Sequence, residues 1–176
     1  MLVLALSYGT ISVAIYGIAY WMPTLVKSFG VSSGTNGLLN MIPWGLASIM
    51  LFWLPRQLTT FRSVLIAAMT AAAVGVALFL ISISPVSNVI RFAALCLGAP
   101  TLYLMIPCFW ATPPRLLPSA FLKGAGGAAA MAVIVSGSAL GGFVAQNLMP
   151  WIAQASGSPS MPMIAPAAAL LLLGVA

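Results

Sequence analysis

The side chains that could do chemistry in this chain are few, and their types limit the reactions open to it. The sequence contains six Lys and Arg residues and no Asp, Glu or His. Neither a general acid–base pair nor a carboxylate metal site can therefore be built from its side chains. The cysteines Cys96 and Cys108 have no His to activate them, and we interpret them as small packing residues. We expect the protein not to be an enzyme and to hold no metal and no cofactor.

Composition indicates that these residues lie in lipid. Of the 176 residues, 62% are hydrophobic and 3% are charged, whereas about a quarter of a soluble domain is charged. Six charges cannot cover a water-exposed surface of this size, so we expect the lipid bilayer to be the main partner. The net charge of +6 does not indicate nucleic-acid binding, because the basic residues are isolated between apolar runs.

Apolar runs separated by polar connections predict an all-α, polytopic membrane protein that forms a single transmembrane domain over residues 1–176. Each run approaches the roughly 20 residues that a membrane-spanning helix needs, although the last is shorter. The first run lacks a basic segment before it and continues past the length of a signal peptide, so we interpret it as a span. The six predicted spans cover about residues 2–25, 37–54, 63–82, 89–111, 125–151 and 164–176.

The basic residues predict how these spans are oriented. Alternating spans place four basic residues on one side and two on the other, namely Arg56, Arg62, Arg115 and Lys123 against Lys27 and Arg91. The positive-inside rule makes the side with four cytoplasmic, which also places the N-terminus in the cytoplasm. The first span alone favours the reverse, since Lys27 follows it and no basic residue precedes it. We expect a multi-pass protein of the cell membrane, which in bacteria is the inner membrane.

The fourth and fifth spans carry features beyond hydropathy. Pro100 and Pro107 interrupt the fourth, with Tyr103 and Trp110 near them, and such kinks are tolerated where neighbouring helices or a water-filled cavity satisfy the backbone. In the fifth, a GxxxG pair with further small residues beside it predicts close approach of a second helix (Gly137, Ser138, Gly141 and Gly142). The same small residues would be expected if the two helices slid along each other during a conformational change.

Four motifs in order resemble the second half of a major facilitator transporter of the anion:cation symporter branch. That branch includes sugar-acid, tartrate, phthalate and hydroxyphenylacetate permeases. The stretch from residue 16 to residue 44 resembles its seventh and eighth helices. The seventh is matched by Tyr-Gly at 16–17 and Tyr-Trp-Met-Pro at 20–23, and the eighth by Gly-Leu-Leu at 37–39 and Ile-Pro-Trp at 42–44. The runs "IPCFWATP" and "FLKGAGGAAAMAVIVSGSALGGFVAQN" resemble its tenth and eleventh helices.

The chain also departs from that branch. The loop after the second span reads "WLPRQLTTFR", where the branch usually has Gly-Arg-x-Ser-Asp-Arg, so the acidic residue is lost. Residues 135–139 read Val-Ser-Gly-Ser-Ala where two asparagines are usual, and "PPRLLPSAFLKG" is longer than usual. The loss of these amides should weaken a polar substrate site, because buried polar groups discriminate between substrates through hydrogen bonds.

The resemblance implies half of a twelve-helix transporter that carries a small organic anion between its two halves. It implies a complementary six-helix half, or another copy of the chain, as the partner, with the charged coupling residues mainly in the other half. Two alternatives remain open: a self-assembling six-helix pore, and a truncated or remnant membrane protein without coupled transport.

Three aromatic residues are the predicted substrate contacts: Tyr16, Tyr103 and Trp110. Tyr16 lies about 7–8 Å deeper along its helix than Trp21, where an aromatic residue of the membrane interface is less expected. We interpret Trp21 and Lys27 as such interface residues. Two further residues have simpler interpretations. Arg91 is an interface anchor, and Trp44, beside Pro43, is a residue of packing or of the interface.

Overall fold

The computed structural model describes residues 1–117 and 125–175, which are helical apart from short connections. Residues 118–124, which include Lys123 of the orientation argument, and residue 176 lie outside the described part. The helices are α1 (Leu2–Lys27), α2 (Ser33–Trp53), α3 (Phe61–Ile83), α4 (Asn88–Trp110), α5 (Pro113–Leu116), α6 (Ala125–Ser156) and α7 (Ile164–Val175). Short 3-10 turns follow α2 (Leu54–Gln57) and precede α7 (Met161–Met163).

The predicted fold class is confirmed. Within the described ranges, five helices are long and apolar enough to cross a membrane, and no strand is present. They are α1, α2 with its 3-10 turn, α3, α4 continued to Leu116, and α6. The apolar helix at 161–173 is shorter, as expected for the sixth run. The chain is therefore an all-helical, polytopic membrane protein.

Two helices extend beyond their predicted spans because polar residues can begin or continue a helix. We placed the start of the second span at about residue 37, but α2 begins at Ser33, since the Ser32 hydroxyl accepts the backbone N–H of Thr35 at 3.2 Å. We ended the fifth span at about residue 151, but α6 continues through Gln154 to Ser156. It stops before Gly157, whose φ of 64° is a left-handed conformation that favours glycine.

Helix α1 lies at the centre of the bundle. It packs most extensively against α6 and also contacts α2, α4 and α7. Helix α3 packs against α4 and α7, and α2 packs mainly against α4. Because α2 has only these contacts, most of it is exposed, and its buried residues are Pro43 and Ala47. One face of the bundle is consequently left uncovered along α2.

Glycine residues let α1 and α6 approach at backbone distance. A Cβ at Gly9 would lie 2.9 Å from the Gly137 carbonyl oxygen, and a Cβ at Gly141 would overlap the Gly9 carbonyl oxygen. The contacts follow the same order along both helices, from Ala5 with Gly137, through Gly9 with Gly141, to Gly17 with Met149. The two helices are therefore parallel. The predicted close approach at the GxxxG pair is confirmed. Whether the helices slide on this surface stays a prediction.

Trp21 near the end of α1 packs inside the protein. Its side chain is buried, and its indole Nε1 donates a 2.8 Å hydrogen bond to the Pro159 carbonyl in the connection between α6 and α7. Trp21 therefore links α1 to that connection, since a buried indole N–H needs an acceptor. Its position at the membrane interface stays a prediction. Lys27, in the last turn of α1, is exposed as expected.

Candidate functional site

An aromatic cluster lies where the start of α1 meets the end of α4. The ring of Tyr8 stacks on Phe109 with centroids 4.8 Å apart. Trp110 meets both rings edge-on, at 5.3 Å from Tyr8 and 5.4 Å from Phe109. Such pairs stabilise the contact beyond the burial of their area. Trp110, one of the predicted substrate contacts, is half-buried and held by this cluster.

Tyr103 lies two turns before Trp110 on α4 and is also half-buried. Its ring meets Trp44 of α2 edge-on, with centroids 5.5 Å apart. Trp44 is therefore a packing residue, as one of its two interpretations predicted, but it packs on a predicted substrate contact. Any change at Trp44 should disturb Tyr103.

Tyr16 is the most exposed of the three predicted contacts, with 47% of its surface accessible. One edge of its ring lies against α6, where a Cβ at Gly142 would be 3.1 Å from the Tyr16 Cδ2. Tyr16 lines a crevice together with Ile106 of α4, which follows Tyr103 by three residues. Tyr16 therefore lies on the side of α1 that faces α4.

A small crevice joins Tyr16 to the aromatic cluster. It has a volume of about 60 Å³ and lies between α1, α4 and α6. Ser12 of α1 and Ser138 of α6 line it, and the Ser12 hydroxyl lies 2.7 Å from that of Ser138 in a hydrogen bond. The other lining residues are Tyr8, Ile11, Ile15, Tyr16 and Ile106.

These residues form one row, which we call the aromatic stripe (Tyr8, Ser12 and Tyr16 on α1; Tyr103, Ile106 and Trp110 on α4). On each helix they are spaced by three, four, seven or eight residues and share one face. The two helices run antiparallel, since Tyr8 meets Phe109, whereas Tyr16, later on α1, lines a crevice with Ile106, which comes earlier on α4. Tyr103 and Trp110 are about 10 Å apart along α4, so Trp110 lies at one end of the stripe rather than beside Tyr16.

The sequence reasoning missed Ser12 and treated Ser138 only as a small packing residue beside the GxxxG pair. Ser12 and Ser138 are 126 positions apart, so only the pairing of α1 with α6 brings them together. Gln146, one turn beyond Gly142 on α6, is exposed and was also missed. Its signal was available, because an amide within an apolar span usually has a polar partner or lines a cavity.

Asn40 is a further polar residue that the sequence reasoning missed. Its Nδ2 donates to the carbonyl oxygen and to the side-chain Oδ1 of Asn36, at 2.7 and 2.6 Å. Asn36 in turn donates to the Pro23 carbonyl at 3.0 Å, which fixes the pair against α1. The Asn40 Oδ1 is buried and accepts no hydrogen bond among the described residues. Because Asn40 lies one turn before Trp44, this free acceptor is near the Tyr103 end of the stripe.

The site is electrically neutral. The structure describes no lysine or arginine among the residues lining the crevice. Arg91 lies near the start of α4, where its Nε donates to the Ser82 carbonyl at 2.8 Å and its guanidinium lies 5.2 Å from the Phe29 ring centroid. The stripe can therefore stack on a ligand and exchange hydrogen bonds with it, but it cannot form an ion pair.

A larger cavity of about 280 Å³ lies near the start of α1, between α3, α4 and α7. Its lining is mainly aliphatic and includes Leu4, Val64 and Met105, with Cys108 among them. Ser7 and Thr112 are its polar side chains. This lining suits apolar groups, whereas the aromatic stripe offers converging polar atoms.

Comparison with known proteins gives related sequences that are all named as transporters. The chain is 34% identical over 145 residues to a quinolone resistance transporter of Acinetobacter baumannii, covering 82% of this chain and 32% of that protein. It is 33% identical over 148 residues to the inner membrane transport protein RhmT of Escherichia coli K12, covering 82% of this chain and 33% of RhmT. A protein of Agrobacterium vitis whose name refers to tartrate transport is 30% identical over 161 residues, covering 90% of this chain and 35% of that protein.

The chain is similar to part of a membrane transporter. It spans about a third of the length of these relatives. No family profile matches the chain, and no solved structure matches it. The relatives are transporters and not enzymes, which agrees with the chemistry that the side chains permit.

Proposed function

We propose that this chain is the C-terminal, six-helix half of a major facilitator-type transporter of the anion:cation symporter branch, and that it helps to carry a small organic anion across the membrane. The observation that carries the proposal is the similarity to transporters over 82–90% of the chain. The order of the four motifs supports the branch and the half. The aromatic stripe supplies a surface on which a substrate could bind.

Exposed polar side chains on α1 and α6 support a second six-helix unit as the partner. Tyr16 and Gln146 are exposed on helices that span the membrane. A phenol or an amide facing hydrocarbon loses its hydrogen bonds with water, which costs free energy. Both groups would keep polar partners if their face lined a cavity between two halves, where facilitator-type proteins bind their substrates.

The chemistry divides between the two halves. This chain has no Asp, Glu or His to carry a proton and no charge on the stripe, so the coupling groups and the cation that holds an anion must come from the other half. The stripe would contribute stacking by Tyr16, Tyr103 and Trp110. The buried Asn40 Oδ1 would accept a donor such as a substrate hydroxyl.

The orientation belongs to the same proposal. Arg56, Arg62 and Arg115 lie at the end of the bundle where α1 begins, and Lys27 and Arg91 lie towards the other end. The excess of basic residues at the end where α1 begins favours a cytoplasmic N-terminus in the inner membrane of a bacterium.

A complementation experiment tests the proposal. The chain is expressed together with the part of the Agrobacterium vitis relative that it does not match, and uptake of labelled tartrate is measured in cells that lack other carriers. We expect uptake only when both parts are present. Each part alone, at matched membrane abundance, is the control.

Other outcomes identify the alternatives. Gradient-driven uptake by this chain alone would contradict the half-transporter proposal. Passive leak of tartrate with this chain alone would indicate a self-assembling pore. Absence of uptake from two parts that co-purify from the membrane would contradict organic-anion transport and favour a remnant.

A further inference from the structure

The arginine-rich end of the bundle, which we define by Arg56, Arg62 and Arg115, carries positive charge without an acidic side chain beside it in the described residues. Arg56 lies in the 3-10 turn after α2, Arg62 in the first turn of α3 and Arg115 in α5, and all three are exposed. These 176 residues contain no Asp or Glu, so none of their side chains can form an ion pair with the arginines.

Aromatic rings hold two of these guanidinium groups in place. The Arg56 guanidinium carbon lies 4.0 Å from the centroid of the Phe52 ring, and that of Arg115 lies 4.5 Å from the Phe61 centroid. A guanidinium over a ring is attracted through its face, which leaves the N–H groups at its edge free to donate.

Most of these donors have no acceptor within the described residues. Arg56 and Arg62 make no side-chain hydrogen bond there, and Arg115 makes one, from Nη1 to the Ala111 carbonyl at 2.9 Å. The opposite end differs. There, Arg91 donates hydrogen bonds to the Ser82 carbonyl and to the Asn88 side chain, so part of its guanidinium is already bonded within the protein.

The surface around the arginines is apolar. Phe52 is 67% exposed and Trp53 is 62% exposed at the end of α2, and Leu116 is exposed beside Arg115. Because α2 ends and α3 begins here, this surface lies where a membrane-spanning bundle meets the lipid headgroups. Fixed guanidinium groups beside exposed aromatic rings match a molecule that has a phosphate at one end and hydrocarbon at the other.

We propose that the arginine-rich end binds the headgroups of anionic phospholipids, with phosphates on Arg56, Arg62 and Arg115 and an upper acyl chain against Phe52 and Trp53. An acidic protein segment would satisfy the same charges but would leave these two apolar side chains unmatched. This assignment involves no substrate, and it requires that Phe52 and Trp53 face lipid and not the second half of the proposed function.

Fluorescence quenching by brominated lipids tests the assignment on the full chain. The protein is reconstituted in phosphatidylcholine vesicles that contain an equal fraction of brominated phosphatidylglycerol or brominated phosphatidylcholine. The signal from Trp53 is the difference between the native chain and Trp53→Phe. We expect brominated phosphatidylglycerol to quench this signal more strongly, with a local enrichment of roughly fivefold for each arginine at low salt.

Charge-neutral variants provide the matched control. Arg56→Gln, Arg62→Gln and Arg115→Gln together should abolish the preference for phosphatidylglycerol, whereas Lys27→Gln with Arg91→Gln, at the other end, should leave it intact. If the triple variant does not fold by circular dichroism, Arg56→Gln alone should weaken the preference, since that exposed side chain makes no hydrogen bond within the described residues.

Three results would overturn the proposal. One is equal quenching of Trp53 by the two brominated lipids in the native chain. Another is a preference that survives in the folded triple variant. The third is loss of the preference on adding inorganic phosphate or polyglutamate at matched ionic strength, which would assign the arginines to a soluble anion or to an acidic protein segment.

Discussion

Replacing Gly141 by alanine should separate the two helices that form the largest contact of the bundle. The new Cβ would overlap the Gly9 carbonyl oxygen and would lie about 3.0 Å from both the Gly9 carbonyl carbon and the Ser12 Cβ. A backbone carbonyl within a helix cannot rotate away, so α1 and α6 must move apart. The contacts around Ser12 and Ser138 would loosen with them.

The magnitude follows from two opposing effects. Overpacking a tight contact costs about 1–3 kcal/mol, and the value should lie high in that range because backbone is the obstacle. Alanine in place of glycine within a helix recovers about 0.5–1 kcal/mol. We therefore expect Gly141→Ala to lower the free energy of unfolding by about 1–2 kcal/mol.

Two glycines of the same chain serve as controls. A Cβ at Gly45 in α2 would meet nothing within 4 Å, so Gly45→Ala should be neutral or should stabilise by up to about 1 kcal/mol. The three atoms nearest to a Cβ at Gly142 belong to the Tyr16 ring, which can turn, so Gly142→Ala should fall between the other two variants.

The assay is unfolding of the detergent-solubilised chain by added SDS, followed by loss of helical circular dichroism. Stability is compared at equal protein and detergent concentration. If Gly141→Ala unfolds at the same SDS fraction as Gly45→Ala, the backbone contact between α1 and α6 does not exist as described.

Two further predictions concern topology and the site. Cysteines placed at Ser33 and at Gln57 should react with a membrane-impermeant thiol reagent from opposite sides of the membrane, and reaction from one side would contradict the order of spans. In the complementation experiment, Tyr16→Ala and Trp110→Ala should each reduce uptake roughly 5- to 150-fold at matched abundance, as expected for loss of about 1–3 kcal/mol of binding free energy. The control variant Trp53→Ala should not reduce uptake. A larger loss for Trp53→Ala would show that the stripe is not the binding surface.

Five of the six predicted runs form helices long and apolar enough to cross a membrane, and these could be predicted because membrane insertion depends on properties within each segment. Length and hydropathy suffice for that purpose, since lipid requires every backbone group to be satisfied inside its own helix. Polar residues at helix ends were less predictable: Ser32 caps α2 from within a connection, and Gln154 continues α6 beyond its apolar run.

Contacts between helices could not be read from the sequence. The hydrogen bonds from Ser12 to Ser138 and from Trp21 to Pro159 join residues more than 120 positions apart, and no local pattern marks either one. The glycine stripe on α6 predicted that some helix packs closely there, but not that this helix is α1. The unpaired acceptor of Asn40 likewise depends on which atoms its neighbours present.

Trp44 shows how such a contact changes the choice of an experiment. Its sequence context suggested packing or the interface, which made it a suitable reference for variants of Tyr16 and Trp110. Because its ring meets Tyr103 edge-on at 5.5 Å, Trp44→Ala would remove support from a predicted substrate contact. A strong effect of that variant would therefore support the stripe rather than contradict it, and Trp53, at the lipid-facing end of α2, is the better reference.

The neutrality of the stripe also constrains how selectivity would arise under the proposed function. A hydrogen bond between neutral groups contributes about 0.5–1.5 kcal/mol, whereas one to a charged group contributes about 1.5–3 kcal/mol. Stacking on an aromatic ring adds about 0.5–1.5 kcal/mol. The stripe can thus orient a substrate and distinguish its shape and hydroxyl groups, but the charge of the anion must be recognised elsewhere. Changes on Tyr16, Tyr103 or Asn40 should alter which organic acid is carried, whereas the requirement for an anion should depend on the complementary half.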